Sequence, residues 1–529
     1  DKRLIKNYYK NKGYYEVDIT TSNVEYSEGE GFILSYIINA GKRYKFKKIQ
    51  ADVAKELDSN AFASLEKDFN KIIGEYYSQR KLQLILEKID SLTAYKELQF
   101  VNHRLVETLD GDGVDVKIEI YEGEKFTVER VNILGNNVTN DSVIRGEMII
   151  DEGDPYSALL LNKSVNKLKA RNIFSKVESY IKEGSEPNLK VIEIEVEEKA
   201  TGELFAGAGV GSSGGSIGGG VKENNFLGRG IKLDANLQVS KTAIRGKFSV
   251  VNPNYNYSGN EIRFTAQSIR TSKMTEFGYD STKTGFSLGS TFEQYEDIYI
   301  SPELSTYYET LSTSDAASTA LKQQEGSYYD AELRYSIIQD KRDRRFQPTE
   351  GYRASFNQKL PLYSESPSLL NGFNYSAYQG FGENIIGSVK FYGRTINSLK
   401  SSEDVKRSER LSLPAKYLRG FESGRIGPVD AEDHVGGNYA TTLSFETNLP
   451  NLLPESTRTD IGLFLDIGNL WGVDYDSSID DSNVIRSSVG VNTNWLSPIG
   501  PMSFVLSQNL SKASTDLTES FNFRLGTTF

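Results

Sequence analysis

The sequence predicts two architectures in one chain: small α+β modules, followed by a membrane-spanning antiparallel β-barrel of about 16 strands. Three observations carry that prediction. Only 12 of the 46 glycines fall in residues 1–200, against 34 in the remaining 329. Helical and strand periodicities alternate ahead of a boundary near Ala200, whereas a period of two prevails beyond it. No apolar run approaches the roughly 18 residues that a spanning helix needs, so this chain could cross a membrane only with strands.

Composition narrows the function classes. At 529 residues the chain exceeds one ordinary core. It has no cysteine, which excludes disulfides, thiolate metal sites and cysteine nucleophiles and leaves the redox compartment open. A net charge of -11 without a long basic run argues against nucleic acid as a partner. Its mean hydropathy is -0.46. With two histidines, His103 and His434, a Ser-His-Asp site in the barrel would have to use His434, and no nucleophile motif surrounds it. The run Gly214-Gly215-Ser216-Ile217-Gly218-Gly219-Gly220 lacks the lysine and hydroxyl residue of a phosphate loop. The expectation is a protein that is not an enzyme and needs no cofactor or metal.

Asp1 to Tyr9 already reads as the middle of a helix, so the chain is expected to be a piece of something longer. Phe126 to Leu134 reads as a strand, Gly135-Asn136-Asn137 as its turn and Thr139-Asn140-Asp141 as a helix start. A second helix, Ala158 to Ile173, places Leu161, Val165 and Leu168 on one face, and Val191 to Val196 alternates as a half-buried strand. The unit recurs. Tyr9 to Val17 matches Lys169 to Val177 in position, and Asn39 to Phe46 matches Tyr121 to Val128, at a spacing of about 80 residues. Asp110-Gly111-Asp112-Gly113-Val114-Asp115 opens like a calcium loop but lacks its closing glutamate, so it reads as a turn. These units resemble POTRA domains, βααββ modules whose exposed sheet edge can take up an extended peptide as a further strand. The expected boundaries are 1–42 for a partial module, 43–122 and 123–200 for whole ones, and 201–529 for the barrel.

In the barrel region, Ile231, Leu233, Ala235, Leu237 and Val239 alternate with Lys232, Asp234, Asn236 and Gln238. Similar alternation returns in Ile262 to Gln267, Val489 to Trp495 and Phe521 to Phe529. Short turns (Asn252 to Gly259, Gln347 to Gly351, Ser497 to Pro501) alternate with long polar connections (Thr271 to Lys283, Glu309 to Gly326, Ser401 to Arg410), the pattern of an outer-membrane barrel. The terminal Phe529 resembles the signal by which such barrels are recognised for assembly.

Several motifs carry a family resemblance. They are Asp340-Lys341-Arg342-Asp343 with Pro348 to Tyr352, Leu418-Arg419-Gly420-Phe421, Val435 to Asn438, Leu465 to Gly468 and Ser497 to Pro501, with Arg145-Gly146-Glu147-Met148 in the last module. Together they resemble the BamA family of barrel-assembly factors, within a POTRA-plus-barrel superfamily that also includes TamA and two-partner secretion transporters. Leu418 stands where the family commonly has valine, which keeps the position apolar.

Alternation turns Ser444, Glu446 and Asn448 toward the lumen, and Asp466 likewise. Symmetry about residue 456, in the Pro450 to Thr457 turn, would set Glu446 nearly opposite Asp466. Two inward carboxylates repel unless a cation lies between them. The resemblance implies that Arg419 supplies it, its loop folding into the lumen as a docking motif of Leu418, Arg419, Gly420 and Phe421 on Glu446 and Asp466. Gly207, Gly209 and Gly211 in or beside the first strand and Gly526 in the last predict a weak lateral seam, ending at Phe529. In the family that seam is thought to open so that a client strand adds there. Glu147 is a candidate contact for an accessory lipoprotein. The implied function is insertion of β-barrel proteins into the outer membrane. Implied partners are unfolded barrel clients, accessory lipoproteins, the lipid bilayer and periplasmic chaperones, with the modules in the periplasm. A TamA-like or two-partner secretion pore and a passive diffusion porin are the alternatives.

Overall fold

The computed structural model describes residues 2–27, 31–95, 101–123, 126–212, 214–345, 347–382, 384–401, 404–450, 452–453, 459–480, 483–497 and 500–526. The chain divides into two compact units. The first comprises 1–136, 148–170 and 174–198; the second comprises 137–147, 171–173 and 199–529. Among the described residues no helix is long and apolar enough to cross a membrane.

In the first unit a helix, Lys2–Asn11, leads into the hairpin Asp18–Ser27 with Gly31–Asn39. The strand Lys45–Val53, the helices Leu65–Ile72 and Gln79–Tyr95, and the strands Val101–Asp110 and Gly113–Glu122 then make one βααββ module. Gly113–Glu122 lies in the middle, parallel to Lys45–Val53 and antiparallel to Val101–Asp110. Its inward side chains Val114, Val116, Ile118 and Ile120 close over Leu82, Ile85 and Ile89, which the helical spacing puts on one stripe. The arrangement repeats downstream. Leu189–Glu198 is the central strand, parallel to Thr127–Leu134 and antiparallel to Phe174–Glu183. Both central strands are covered on either side, which leaves the outer strands of each sheet as its edges. The Asp110 to Asp115 segment is the hairpin turn, with Gly111 at φ +63° and Lys42 on Asp112 at 2.5 Å.

The second helix of the last module is Ala158–Ala170, three residues shorter than its apolar spacing suggests. Asn172 adopts φ +58°, a left-handed conformation that ends the helix. The next residues, Arg171 to Ile173, belong to the second unit.

Among the described residues of the second unit, sixteen antiparallel strands close into a barrel, from Gly202–Gly211 to Phe521–Gly526. Its burial pattern is inside out. Ser249, Thr265, Ser287, Ser305, Ser355 and Ser388 point to the lumen and are buried, whereas Leu237, Phe248, Phe264, Phe286, Leu288 and Leu304 stand exposed on the outer wall. Such a continuous apolar belt is stable only against hydrocarbon. Two of the long polar connections are shorter than their composition suggests. Ladder pairing continues to Lys273↔Tyr279 and Tyr279↔Thr313, so most of Thr271 to Lys283 is strand, interrupted by the single turn Met274–Phe277. Polar residues there satisfy a barrel wall that extends past its apolar belt.

Candidate functional site

The connection between the strands Ile385–Ser398 and Tyr439–Asn448 runs from Leu399 to Asn438 and has a core of its own. Leu411, Leu413, Leu418, Phe421 and Ile426 pack with Ile396, Ala440 and Leu470 of the wall. Leu418 and Phe421 are 1% and 2% exposed. Each such side chain contributes about 1.5–3 kcal/mol by leaving water. The loop is therefore held first by hydrophobic burial. Between its two apolar anchors the chain must present Arg419 to the wall, and Gly420 makes that possible. It has φ +89°, and a Cβ there would meet Ser488 Cβ at 3.1 Å and Asn509 Nδ2 at 3.2 Å.

Arg419 reaches one acid with its whole fork. Nε donates to Asp466 Oδ2 and Nη2 to Oδ1, both at 2.7 Å, and the backbone N–H of Arg419 adds a third bond to Oδ2 at 3.0 Å. Asp466 is completely buried, so this charge has no solvent to fall back on. Glu446 is held differently. Lys390 Nζ lies 2.8 Å from Oε2 and Asn492 Nδ2 donates to Oε1 at 3.0 Å, while Arg419 Nη1 is at 3.4 Å. The expected bridge across two acids is thus a bidentate pair with Asp466 and a looser contact to Glu446.

The reason lies in the register. Asp466 pairs with Ser444, and Glu446 with Phe464. The acids are diagonal neighbours rather than opposite each other, because the hairpin is centred one residue earlier than residue 456. Ser444 fills the position facing Asp466, donating to Oδ1 at 2.6 Å and accepting from Arg419 Nη2 at 2.9 Å. Phe464 lies beneath the guanidinium, with Cζ 3.6 Å from the ring centroid. A desolvated cation over an aromatic face adds about 2 kcal/mol. Sequence reasoning turned Ser444 into the lumen without giving it a role, and did not single out Phe464 or Lys390. The available signal was an aromatic, Phe464, on the lumen-facing parity that also carries Asp460, Gly462, Asp466, Gly468 and Leu470.

A second set of charges docks the start of the loop. Lys406, 2% exposed, donates to Asp330 at 2.8 Å and Glu309 at 3.3 Å. Glu409 accepts from Lys359 at 2.8 Å. Arg407 Nη2 donates to the carbonyls of Phe277 at 2.9 Å and His434 at 2.8 Å, and Arg410 pairs with Asp474 and Asn438.

His434 also belongs to this loop. It is 6% exposed, with Nε2 at 3.1 Å from the Thr515 carbonyl. Burial, reinforced by Arg425, lowers its pKa from the ordinary 6.5. The neutral ring is the folded form, so docking stability is complete above about 6.5 and declines as pH falls below that value. The heat-modification midpoint of the folded barrel should fall on acidification through this range, and His434→Gln should flatten that part of the profile. A variant profile that still follows the wild type would exclude His434 as the responsible group.

At the seam the described register joins Arg524 to Gly211, Leu525 to Val210 and Gly526 to Gly209. By contrast, Glu261–Lys273 pairs with its neighbour along its whole length. Gly526 has φ +114°, and a Cβ on it would lie 2.2 Å from the Ala208 carbonyl, so only glycine fits this closure. Gly207 lies beyond the last described seam pair, and Phe529 lies outside the described residues.

Glu147, the candidate lipoprotein contact, is not an open surface acid. It follows the five-residue helix Asp141–Arg145, is 8% exposed, and faces Arg171 Nη1 and Asn254 Nδ2, both at 3.3 Å. An external partner finds little of this carboxylate to touch.

A family model described as the Omp85 superfamily domain matches residues 225–529, and one for the surface antigen variable number repeat, the POTRA module, matches 126–199. The outer membrane protein assembly factor BamA of Neorickettsia risticii is 25% identical over all of this chain and 72% of its own length. BamA of Neisseria meningitidis serogroup B is 24% identical over the same shares. The crystal structure of BamA from Haemophilus ducreyi lacking POTRA domains 1–3 superposes with a TM-score of 0.67 at 22% identity. It covers 92% of this chain and 100% of that one.

Proposed function

Because the chain belongs to the Omp85 superfamily, we propose that it is an outer-membrane assembly factor, an insertase that builds other β-barrel proteins into that membrane with its modules on the periplasmic side. The observation that carries this reading is the glycine-built closure of the barrel: among the described residues Arg524, Leu525 and Gly526 pair with Gly211, Val210 and Gly209, and Gly526 leaves no room for a Cβ. Opening it exposes two strand edges whose backbone groups cannot find water in the hydrocarbon. A client strand satisfies them by adding to the edge, and its own folding supplies the driving force. No nucleotide is needed.

The remaining features fit around that step. Outer strands of the module sheets, such as Val101–Asp110, offer backbone edges on which an extended client can rest before insertion. The docked loop occupies lumen that a diffusion channel would keep open, which favours insertion over the porin reading. Partners in this scheme are unfolded barrel clients, the bilayer, accessory outer-membrane lipoproteins and chaperones that deliver clients.

The test is the folding rate of a urea-unfolded barrel protein into liposomes with and without this protein embedded in them. Acceleration of at least about ten-fold, a lowering of the barrier by about 1.4 kcal/mol, is expected. An unchanged rate accompanied by steady solute flux would replace the proposal with a secretion pore or porin.

A further inference from the structure

The connector that precedes the last barrel strand is bonded to the docked loop. Glu519 N–H donates to the Gly420 carbonyl, Glu422 N–H to the Leu517 carbonyl and Leu517 N–H to the Arg425 carbonyl, each at 3.0 Å. Phe421 and Thr518 form an isolated antiparallel bridge between them. Thus the residues just after Arg419 and those just before Phe521 are short strands of one ribbon. Ser520 then accepts from Ser507 N–H at 2.8 Å, and the strand Phe521–Gly526 begins. Only a few residues separate the docked motif from the seam.

The connector also has an ion pair of its own. Arg486 Nε donates to Asp516 Oδ2 at 2.8 Å and Nη2 to Oδ1 at 2.9 Å, and both residues' side chains are 0% exposed. Asn469 Oδ1 and the Val484 carbonyl take further guanidinium protons, and Ala513 N–H donates to Asp516 Oδ2 at 2.6 Å. Burying a charge pair completely is a poor way to gain stability but an effective way to define one position, because either partner alone is strongly disfavoured. Arg486 opens a wall strand, Arg486–Ser497, so the pair fixes the connector to rigid structure.

We propose that Ala513 to Ser520 is a latch, with Arg486 and Asp516 as its positioning residues, that couples loop docking at Arg419 to closure of the Arg524–Gly526 seam. Docked, the loop supplies three backbone bonds that hold the connector and, through it, the last strand. Released from Asp466, the loop withdraws them, and the last strand loses that support at the seam. Coupling is reciprocal, so breaking the latch also loosens the loop. The inference rests on reading the seam as the place where the barrel opens.

The chain has no cysteine, so a disulfide across the seam can report closure directly. Val210→Cys with Leu525→Cys places thiols on a registered seam pair, and Val491→Cys with Leu506→Cys does so on a lipid-facing pair elsewhere in the wall. In the full-length chain in liposomes, Asp516→Asn should slow seam cross-linking at least about five-fold while leaving the other pair unchanged. Arg486→Gln serves equally if the first variant folds poorly. Arg419→Ala should slow the same reaction, and combining it with Asp516→Asn should add little, since the two act through one element. A seam that cross-links at the wild-type rate in Asp516→Asn, or equal slowing of both pairs, would overturn the latch. Because no client is present, this result is independent of the insertion assay. A responsive seam without insertion removes the proposed function alone, and insertion with an unresponsive seam removes the latch alone.

Discussion

Arg419→Ala should undock the lumen loop and reduce assisted insertion at least about ten-fold, the largest loss expected of any single substitution in this chain. The physical reason is the residue it abandons. Asp466 is completely buried and takes three of its hydrogen bonds from Arg419. Removing one member of such a pair typically costs about 3–5 kcal/mol, most of it from the charge left behind. Three comparisons separate this account from general damage. Asp466→Asn should be nearly as severe, whereas Glu446→Gln should be mild, because Lys390 and Asn492 hold that carboxylate. Arg419→Lys should fall between, since a point charge cannot reproduce the two-pronged contact. Pairing Arg419→Ala with Asp466→Asn should restore part of the loss by removing the stranded charge. Equal sensitivity at Glu446 and Asp466, read as protease access to the loop and as insertion rate, would contradict the asymmetry of the site.

That asymmetry marks how far the sequence could be read. Period-two alternation correctly turns Glu446 and Asp466 into the lumen, because side-chain direction in a strand is local geometry. Which residues stand opposite is a different quantity, set by the hairpin's centre. A shift of the centre by one residue moved Ser444, rather than Glu446, across from Asp466. The βααββ order and the barrel were legible for the same reason: each depends on periodicity that repeats within one element. Lys406 was not, since it reaches Asp330 and Glu309, on two neighbouring strands, from a loop some 76 to 97 residues further along the chain and leaves no spacing to recognise. Composition misled at Glu147. A candidate lipoprotein contact is expected to lie open to solvent, but Arg171, brought in by the turn that ends the next helix, withdraws the carboxylate. The same limit applied to Thr271 to Lys283, where polar content suggested a loop and ladder pairing made a strand.

The charges around Lys406 lead to the second large effect, at the other end of the loop. Lys406 lies among Asp330, Glu309 and Glu409, all nearly buried, with Lys359 and Lys283 as further cations acting on Glu409. Burial pushes the Glu409 carboxyl up, but Lys359 and Lys406 outweigh it and hold it down at about 2. The stability stored there is present above the ordinary carboxylate pKa of 4.5 and is lost as pH falls toward that depressed value. Lys406→Met keeps the length of the side chain and removes the charge. The acids then lose the one cation buried among them, and the loss should be about 3–5 kcal/mol, read as a lower heat-modification midpoint and as protease cleavage near residues 404–410. Because the harm comes from repulsion, adding Asp330→Asn to Lys406→Met should recover much of the midpoint, even though it deletes a second polar partner. Additive destabilisation by the two changes would mean that packing, not charge, holds this end. The Arg419 pair would then remain as the loop's main electrostatic lock.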